Sequence, residues 1–374
     1  MDDASSPVIS VVLPCLNEAD TVTAAVQAAR LGVSRTGQPG EVVVVDNGST
    51  DASPDLAAAA GARVVHEPHR GYGAALRRGF AAARGQFIVM ADADDTYDLA
   101  GLAALVDLLR DGGDLAIGNR LADVQPGAMP WLHRRVGTPV ISWLLRRTYG
   151  VRVRDSQSGF RAFTRDALDR LQLQSSGMEL ASEMIAKASI QGLRIVEAPS
   201  TYGPRAGESK LRTLRDGWRH LRLILILAPA LLYVLPGAAL LILGLLTFGI
   251  GFAASNMAVG GLQWQPVFAG PIFWVLGVSG LAFGLVAHRR LVRTGLARPS
   301  RLLARGYPLV KLETALALAA LAVLGGVGID AFIFVQWVGG SAHTAGTQLA
   351  ALAQALIISG VNLAFIAFLG AAPD

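Results

Sequence analysis

The sequence predicts an α/β domain, with a mostly parallel β-sheet and helices on both faces, followed by an all-α transmembrane domain of four helices. The first observation behind this prediction is an alternation of short apolar runs with helix-like stretches in the first part of the chain, which is typical of parallel strands joined by helical crossovers. The second is a change in composition near residue 222. Of the 28 acidic residues, only Glu313, Asp330 and Asp374 lie after Arg222.

The predicted strands are short apolar runs bounded by polar or small residues. They cover residues 8–14, 41–46, 62–67, 86–92, 114–119 and 194–199. The helix-like stretches between the early strands cover residues 18–30, 54–60, 73–84 and 100–110. In a sheet of this kind ligands bind beyond the carboxyl ends of the strands. The residues that directly follow each strand are therefore the candidates for a binding site.

The second part of the chain predicts membrane-spanning helices. Residues 223–254 carry no charge, and this run is longer than the roughly 20 residues that one helix needs to cross a bilayer. Pro229 and Pro236 interrupt it, so an interfacial helix over about residues 214–235 is expected before the first span. The spans are expected at about residues 237–254, 267–286, 312–334 and 347–369. The predicted domains are 1–211, 212–235 for the interfacial helix, and 236–374.

The charges of the loops between these spans predict an orientation. The loop between the second and third spans carries seven cations, Arg289, Arg290, Arg293, Arg298, Arg301, Arg305 and Lys311. The other two loops contain no Lys or Arg. By the positive-inside rule the basic loop is cytoplasmic, which places the α/β domain and the C-terminus in the cytoplasm at the inner (plasma) membrane. The excess of cations in this half indicates a membrane surface, and not nucleic acid, as the partner.

The loop ADADDTYD, residues 91–98, follows the fourth predicted strand and raises the question of a metal site. It holds four carboxylates, Asp92, Asp94, Asp95 and Asp98. Such carboxylates repel one another unless they face water or surround a cation. The other early strands also end in small and polar residues, in PCLNEAD, VDNGSTD and HEPHRGYGAAL. Because these ends meet at one edge of a parallel sheet, the metal site is favoured over a solvated loop.

Each of these motifs has a plainer interpretation when it is taken alone. Asn17 and Glu18 are suited to capping a helix, and NGST reads equally well as a turn. RGYGAAL is either a phosphate-binding helix start or a tight turn. It is not a complete dinucleotide fingerprint, because the third glycine position is Leu76.

Taken in order, the motifs resemble a known family. PCLNEAD, VVDNGSTD, RGYGAAL and DADDTYD resemble the donor-binding half of family 2 glycosyltransferases, whose GT-A fold is Rossmann-like. IGNR, RDSQSGFRAF, GMELASEMIAKA and PRAGESKL resemble the polyprenyl-phosphate branch, which includes dolichol-phosphate mannose and glucose synthases. The resemblance implies inverting transfer of a hexose from a nucleotide sugar, UDP-glucose or GDP-mannose, to polyprenyl phosphate, with Mg²⁺ or Mn²⁺ as cofactor.

The resemblance also implies roles for individual residues. The donor would be bound by Pro14, Asn17, Glu18, Asp46, Ser49, Gly71 and Asp92, and by Arg205, Ser209 and Lys210 of a loop that closes on the diphosphate. The metal would be held by Asp94 together with Asp92. The catalytic set would be Asp94, Arg120, Arg134 and Arg135, in which the arginines hold the acceptor phosphate. Thr96 stands where the family often has Gln or Ser, so its part in metal binding stays open.

The predicted chemistry is consistent with these residue types. A divalent cation on one or two carboxylates can stabilise the charge of a departing diphosphate. A lipid phosphate is already anionic near neutral pH, so the reaction needs no strong general base. It needs cations that hold two anions in line, and arginines are suited to that electrostatic task.

Two alternatives to this prediction share some of its sequence features. A processive polysaccharide synthase would share the D-x-D half, but the Q-x-x-R-W motif typical of that class is absent from the chain. A non-catalytic, membrane-tethered nucleotide-sugar-binding protein is disfavoured by the intact Asp92 and Asp94 pair. The sequence leaves open whether the protein forms a homo-oligomer.

Overall fold

The computed structural model describes residues 7–204, 213–253, 257–259, 262–264, 266–340 and 346–372. The chain forms two compact units, Met1–Ile224 and Leu225–Asp374. The first unit contains the sheet, and the second contains the long apolar helices.

The first unit is built on a seven-stranded sheet whose spatial order is β3-β2-β1-β4-β6-β5-β7. The strands are β1 (Ile9–Cys15), β2 (Gly40–Asp46), β3 (Arg63–His66), β4 (Phe87–Met90), β5 (Leu115–Val124), β6 (Arg161–Thr164) and β7 (Ile195–Tyr202). Only β6 runs antiparallel to its neighbours; every other pair in this sheet is parallel. The predicted α/β class with a mostly parallel sheet is confirmed.

The helices of the first unit are α1 (Val22–Arg35), α2 (Ser53–Ala59), α3 (Tyr72–Ala82), α4 (Ala103–Arg110), α5 (Thr138–Tyr149), α6 (Arg165–Leu171), α7 (Leu180–Ile190) and α8 (Thr213–Ile226). In α1 the residues buried against the sheet are Val22, Ala25, Val26, Ala29 and Val33. This spacing of three or four places one apolar stripe along the helix. Central strand β1 is almost entirely buried, so the core lies on both of its faces.

The sequence prediction missed β6 because its four residues, RAFT, form no apolar run like those of β3 and β4, and because the strand runs directly into α6. It is inserted between β4 and β5, so these two predicted strands are not neighbours. It also missed α6 and α7. β5 and β7 are longer than predicted, and their pairing is irregular between Asn119 and Asp123.

The second unit contains four helices that are long and apolar enough to cross a membrane, as the sequence predicts. The candidate spans are Ala230–Ala253, Val267–Arg293, Leu312–Val338 and Gly346–Ala371. The first comprises a π-helical turn, Ala230–Val234, and α9 (Leu235–Ala253); the others correspond to α10 (Pro266–Arg293), α12 (Leu312–Val338) and α13 (Gly346–Ala371). Strands β8 (Met257–Val259) and β9 (Leu262–Trp264) form a short hairpin, and α11 (Arg301–Ala304) lies before α12.

The structure differs from the expected interfacial helix at its end. α8 ends at Ile226, and Ala230 already belongs to the first candidate span. Pro229 lies between them; it has no backbone N–H, so it cannot continue the hydrogen bonding of α8. Within the second unit, Gly237 and Gly244 of α9 lie against the backbone of α10, the close packing that small residues allow between membrane helices.

Candidate active site

The candidate active site lies where three parallel strands end side by side. β1 and β2 are in register to their last residues, so that Cys15 is opposite Asp46. On its other side β1 pairs with β4, which ends at Met90. The loops that follow these strands therefore meet at one edge of the sheet. The hydroxyl of Thr21 donates to the carbonyl oxygen of Ala93 at 2.8 Å, which ties the start of α1 to the acidic loop.

The acidic loop after β4 divides its four carboxylates between the interior and the solvent. Asp94 is buried, with 4% of its surface exposed, and Asp92 is half-buried. Asp95, which has a φ of 58°, and Asp98 are exposed. Partial desolvation and the adjacent charge of Asp94 raise the pKa of Asp95. The loop is therefore not a plain solvated turn, because it holds one carboxylate in the interior and another part-way in.

The oxygens of this loop are suitable ligands for Mg²⁺ or Mn²⁺. The hydroxyl of Thr96 donates to Asp94 Oδ1 at 2.6 Å, and its backbone N–H donates to the same oxygen at 3.3 Å. Thr96 thus orients the Asp94 carboxylate. Within the part of the chain that the structure describes, no group of three or more His, Cys, Asp or Glu could hold a metal ion. The remaining ligands would have to come from a substrate or from water, as is usual for Mg²⁺.

The loops after β1 and β2 are joined by hydrogen bonds between the predicted donor-binding residues. The backbone N–H of Asn17 donates to Ser49 Oγ at 3.0 Å, and Thr50 N–H donates to Asn17 Oδ1 at 2.8 Å. Glu18 N–H donates to Ser53 Oγ at 2.8 Å. Pro14 is the half-buried penultimate residue of β1. The structure thus brings Pro14, Asn17, Glu18 and Ser49 together with the acidic loop at the same edge.

Asp46 is the last residue of β2 and turns back onto the loop that follows it. Its Oδ1 accepts from the Ser49 N–H at 2.9 Å, and its Oδ2 accepts from Gly48 N–H and lies 3.2 Å from His66 Nδ1. Desolvation acts to raise the pKa of Asp46, but the hydrogen bonds from Ser49, His66 and Gly48 outweigh it and keep that pKa below its usual value. Asp46 is therefore an ionised acceptor beside the site.

Asn47 is a buried positioning residue that the sequence prediction missed. Its Nδ2 donates to the carbonyl oxygens of Glu67 and His69, at 2.9 and 2.8 Å. Its Oδ1 accepts from Gly71 N–H at 2.7 Å. The side chain thereby fixes the RGYG segment against the end of β2. The only sequence signal was Asn-Gly, which is also an ordinary turn.

Gly71 has a structural reason to be glycine. Its φ is 151°, and a Cβ there would collide with the carbonyl oxygen of Ser176. Ala74 N–H donates to that same oxygen at 3.1 Å. The RGYG glycines thus let the segment around Ser176 approach the start of α3. The donor-binding role of Gly71 stays a prediction.

Tyr72 and Arg70 are two further side chains at the site that the sequence prediction did not single out. The Tyr72 hydroxyl donates to Asp92 Oδ1 at 2.8 Å. Burial, together with the Asp92 charge, raises the pKa of Tyr72, so the phenol remains protonated and acts as a donor. The guanidinium of Arg70 lies over Gly48, which places a cation beside the loop that follows β2. The sequence signal in this segment is its pair of glycines, Gly71 and Gly73, which does not indicate a role for either side chain.

Arg120, on β5, forms a buried bidentate ion pair. Its Nε and Nη2 donate to the two oxygens of Asp155 at 2.7 and 2.9 Å, and its backbone N–H donates to Asp155 at 3.0 Å. Its guanidinium also lies 5.2 Å from the centroid of the Tyr202 ring. Although burial acts in the opposite direction, nearby Tyr97 and Asp155 raise the pKa of Arg120 further above its usual value. Its charge is therefore largely balanced by Asp155.

The segment from Asp155 to Arg161 is held rigidly beside this pair. Arg161 is fully buried, and its guanidinium donates to the carbonyl oxygens of Ser156, Ser158 and Ala181. Burial lowers the pKa of Arg161 to about 10. Gly159 N–H donates to the Tyr97 hydroxyl at 2.7 Å, which connects this segment to the acidic loop. The sequence analysis identified the motif RDSQSGFRAF, which contains this segment, but it did not predict these contacts.

The remaining predicted residues lie elsewhere. Arg134 and Arg135 are exposed on a π-helical turn, His133–Gly137, that leads into α5. No hydrogen bond within the described residues joins them to the loops after β1, β2 and β4. Arg205, Ser209 and Lys210 lie outside the described residues. Their assigned roles stay predictions.

Comparison with known proteins gives matches in both units. The model of glycosyl transferase family 2 matches residues 10–172, and that of the glycosyltransferase family 2 C-terminal transmembrane region matches residues 285–372. The chain is 40% identical over 287 residues to the low-salt glycan biosynthesis hexosyltransferase Agl6 of Haloferax volcanii, covering 76% of this chain and 69% of the relative.

Three other proteins are similar over part of the chain. A dolichyl-phosphate hexose transferase of Haloferax volcanii is 35% identical, covering 47% of this chain and 76% of its own. A dolichol-phosphate mannosyltransferase of Pyrococcus furiosus is 28% identical, and the match covers 57% of this chain and 62% of that relative. Among solved structures, glucosyl-3-phosphoglycerate synthase from Mycobacterium tuberculosis with phosphoglyceric acid is 26% identical over 59% of this chain and 80% of its own, with a TM-score of 0.48. On the family model and the Agl6 match, this chain belongs to the family 2 glycosyltransferases and carries the transmembrane region found in that family.

Proposed function

We propose that this glycosyltransferase moves a hexose from a nucleotide sugar, UDP-glucose or GDP-mannose, to a polyprenyl phosphate at the cytoplasmic face of the inner membrane, with inversion. The observation that carries the proposal is the placement of Asp92 and Asp94 at the ends of β1, β2 and β4, in a chain that also holds four candidate membrane spans. The named dolichyl-phosphate and dolichol-phosphate relatives support the lipid acceptor.

The loops after β1 and β2 are suited to binding the nucleoside of the donor. Asp46 remains ionised, and its carboxylate is oriented by the backbone N–H groups of Gly48 and Ser49. Asn17 and Ser49 are held to each other, so this wall of the site is formed before a ligand arrives. Such preorganisation reduces the entropy lost on binding. The cation of Arg70 beside Gly48 can compensate a phosphate charge there.

Asp94 and Asp92 would hold the divalent cation, which would stabilise the charge of the departing diphosphate. The hydroxyl of Thr96 keeps Asp94 in place, and that of Tyr72 keeps Asp92 in place. Each carboxylate therefore accepts a hydrogen bond from a neutral hydroxyl group, which has no positive charge that would compete with the metal ion. The contribution of Thr96 and Tyr72 is to orient the two carboxylates, and it involves no proton transfer.

The acceptor side would be formed by arginines and an exposed apolar surface. The segment that contains Arg134 and Arg135 also exposes large apolar side chains, namely Trp131, Leu132, Val136, Val140 and Trp143. Tryptophan and arginine on one exposed surface are typical of elements at the lipid–water interface. We infer that Arg134 and Arg135 bind the lipid phosphate there. Arg120, which Asp155 neutralises, would shape the acceptor pocket and contribute its remaining N–H groups.

The proposal is tested by assaying the purified full-length protein with undecaprenyl phosphate and a panel of radiolabelled nucleotide sugars. Transfer to the lipid is expected with one of the two donors, and it should require Mg²⁺ or Mn²⁺. Asp94→Asn should lower turnover at least a hundredfold, because it removes a buried carboxylate that binds the metal. Asp98→Asn removes the same charge from an exposed position in the same loop, and should change turnover less than about twofold.

Two results would contradict the proposal. Asp94→Asn at wild-type turnover in buffer treated with a chelator would exclude the metal role. Elongation of the lipid by many sugars would instead indicate a processive synthase.

A further inference from the structure

The membrane-spanning unit has a basic cleft where three of its helices come together. The carboxyl end of α10, the beginning of α12 and the carboxyl end of α13 surround a cleft of about 440 Å³. Val286 and Val310 contribute an apolar part of its wall. The charged residues that line it are four cations, Arg289, Arg290, Arg293 and Lys311, and one carboxylate, Glu313. The cleft therefore carries a large excess of positive charge.

Three of these four cations have no carboxylate partner among the described residues. No ion pair joins Arg289, Arg293 or Lys311 to a carboxylate within the part of the chain that the structure describes. In addition, α12 begins after Lys311 with no side-chain cap on its first turn. The backbone N–H groups and the positive end of the helix dipole there favour an anion. Three features thus point to an anionic ligand: the concave shape, the position of Arg289, Arg293 and Lys311 without a described carboxylate partner, and the uncapped start of α12.

The position of the cleft identifies the chemical class of that ligand. Arg289, Arg293 and Lys311 lie at the ends of candidate spans, where long basic side chains reach the headgroup region. Basic pockets between membrane helices at this depth are suited to phosphate headgroups. The wall formed by Val286 and Val310 is suited to the glycerol and acyl part of a lipid. We propose that this cleft binds the phosphate headgroup of an anionic phospholipid.

The proposal is tested with the full-length protein in neutral detergent, by native mass spectrometry with phosphatidylglycerol and phosphatidylcholine of equal chain length. Phosphatidylglycerol is expected to remain bound in preference to phosphatidylcholine. Arg289→Gln combined with Arg293→Gln should weaken its binding about tenfold or more. The matched control is Arg301→Gln with Arg305→Gln, which removes two exposed cations of the same loop that do not line the cleft. It should leave binding unchanged.

Glu313→Gln provides a test that misfolding cannot imitate. Removing the only carboxylate among the described residues that line the cleft should strengthen the binding of phosphatidylglycerol. The proposal is overturned if the two phospholipids bind equally, or if the Arg301 and Arg305 control loses as much binding as the cleft variant. Farnesyl phosphate separates the two sources of lipid phosphate. Competition with phosphatidylglycerol supports shared phosphate recognition, whereas binding of farnesyl phosphate alone would reassign the cleft to the acceptor and overturn the phospholipid assignment.

Discussion

Asp155→Asn tests whether the buried ion pair between Asp155 and Arg120 stabilises the folded first unit. The Asp155 carboxylate is fully buried, and it accepts from Arg120 through Nε at 2.7 Å, Nη2 at 2.9 Å and the backbone N–H at 3.0 Å. Asparagine keeps the shape but leaves the Arg120 charge buried without a counterion. Breaking a buried pair in this way typically costs about 3–5 kcal/mol. That is a large share of the roughly 5–15 kcal/mol by which a domain is stable.

This cost can be expressed as a change in melting temperature. For domains of about 150–250 residues, 1 kcal/mol shifts the midpoint by roughly 2–4 °C, and the first unit, Met1–Ile224, falls within this range. Asp155→Asn should therefore lower the midpoint by about 6–20 °C. The assay is size-exclusion chromatography of the full-length protein in detergent after heating to a series of temperatures. The midpoint is the temperature at which half of the monodisperse peak is lost.

The control is Asp107→Asn, which makes the same substitution in an exposed ion pair with Arg110. Surface pairs contribute only about 0–1 kcal/mol, so this midpoint should fall by less than about 4 °C. A double variant, Arg120→Met with Asp155→Leu, should be more stable than Asp155→Asn, because it leaves no unpaired charge in the interior. The reasoning is refuted if Asp155→Asn has the same midpoint temperature as the Asp107→Asn control. It is also refuted if the double variant has a lower midpoint than Asp155→Asn.

The remaining predictions concern acceptor binding, donor binding and acid stability. Arg134→Ala should raise the KM for polyprenyl phosphate about tenfold to a hundredfold, since a lost charged hydrogen bond costs about 1.5–3 kcal/mol, and it should leave nucleotide affinity unchanged. The control Arg152→Ala, which removes an exposed arginine, should change neither the KM nor the nucleotide affinity. An equal effect of both substitutions on the KM would exclude a specific role for Arg134. Tyr72→Phe removes the hydroxyl that donates to Asp92 and should weaken UDP or GDP binding with Mn²⁺ about tenfold in calorimetry, a result that unchanged binding would contradict. Glu183 is buried with Lys187, 2.7 Å away. Desolvation opposes the shift, but hydrogen bonds from Lys187 and from the backbone lower the pKa of Glu183 below its usual 4.5. The stability from this pair is therefore fully present above about pH 4.5 and is lost as the pH falls towards the lower, folded-state pKa. Glu183→Gln should be less stable near neutral pH and should lose less stability on acidification, as measured by chromatography after incubation at each pH; a steeper loss would show that another group controls the acid transition.

The sequence by itself determined the elements whose signal is local. The apolar runs predicted six of the seven strands of the main sheet, and the long apolar segments predicted the four candidate spans. The order of the strand-end motifs placed Asn17, Asp46 and Asp94 at one edge of the sheet, because the carboxyl ends of parallel strands lie together. These inferences hold since hydrophobic periodicity, turn chemistry and span length are properties of neighbouring residues.

Only the tertiary structure decided which side chains are partners. Arg120 pairs with Asp155, 35 residues away, and Asn47 holds Gly71, 24 residues away. The four carboxylates of the acidic loop are equivalent as a pattern, yet Asp94 is buried and Asp98 is exposed. Strand β6 enters the sheet between β4 and β5, although its four residues carry little signal of their own. Long-range topology brings such groups together, and the cost of burying a charge then decides which of them must be paired.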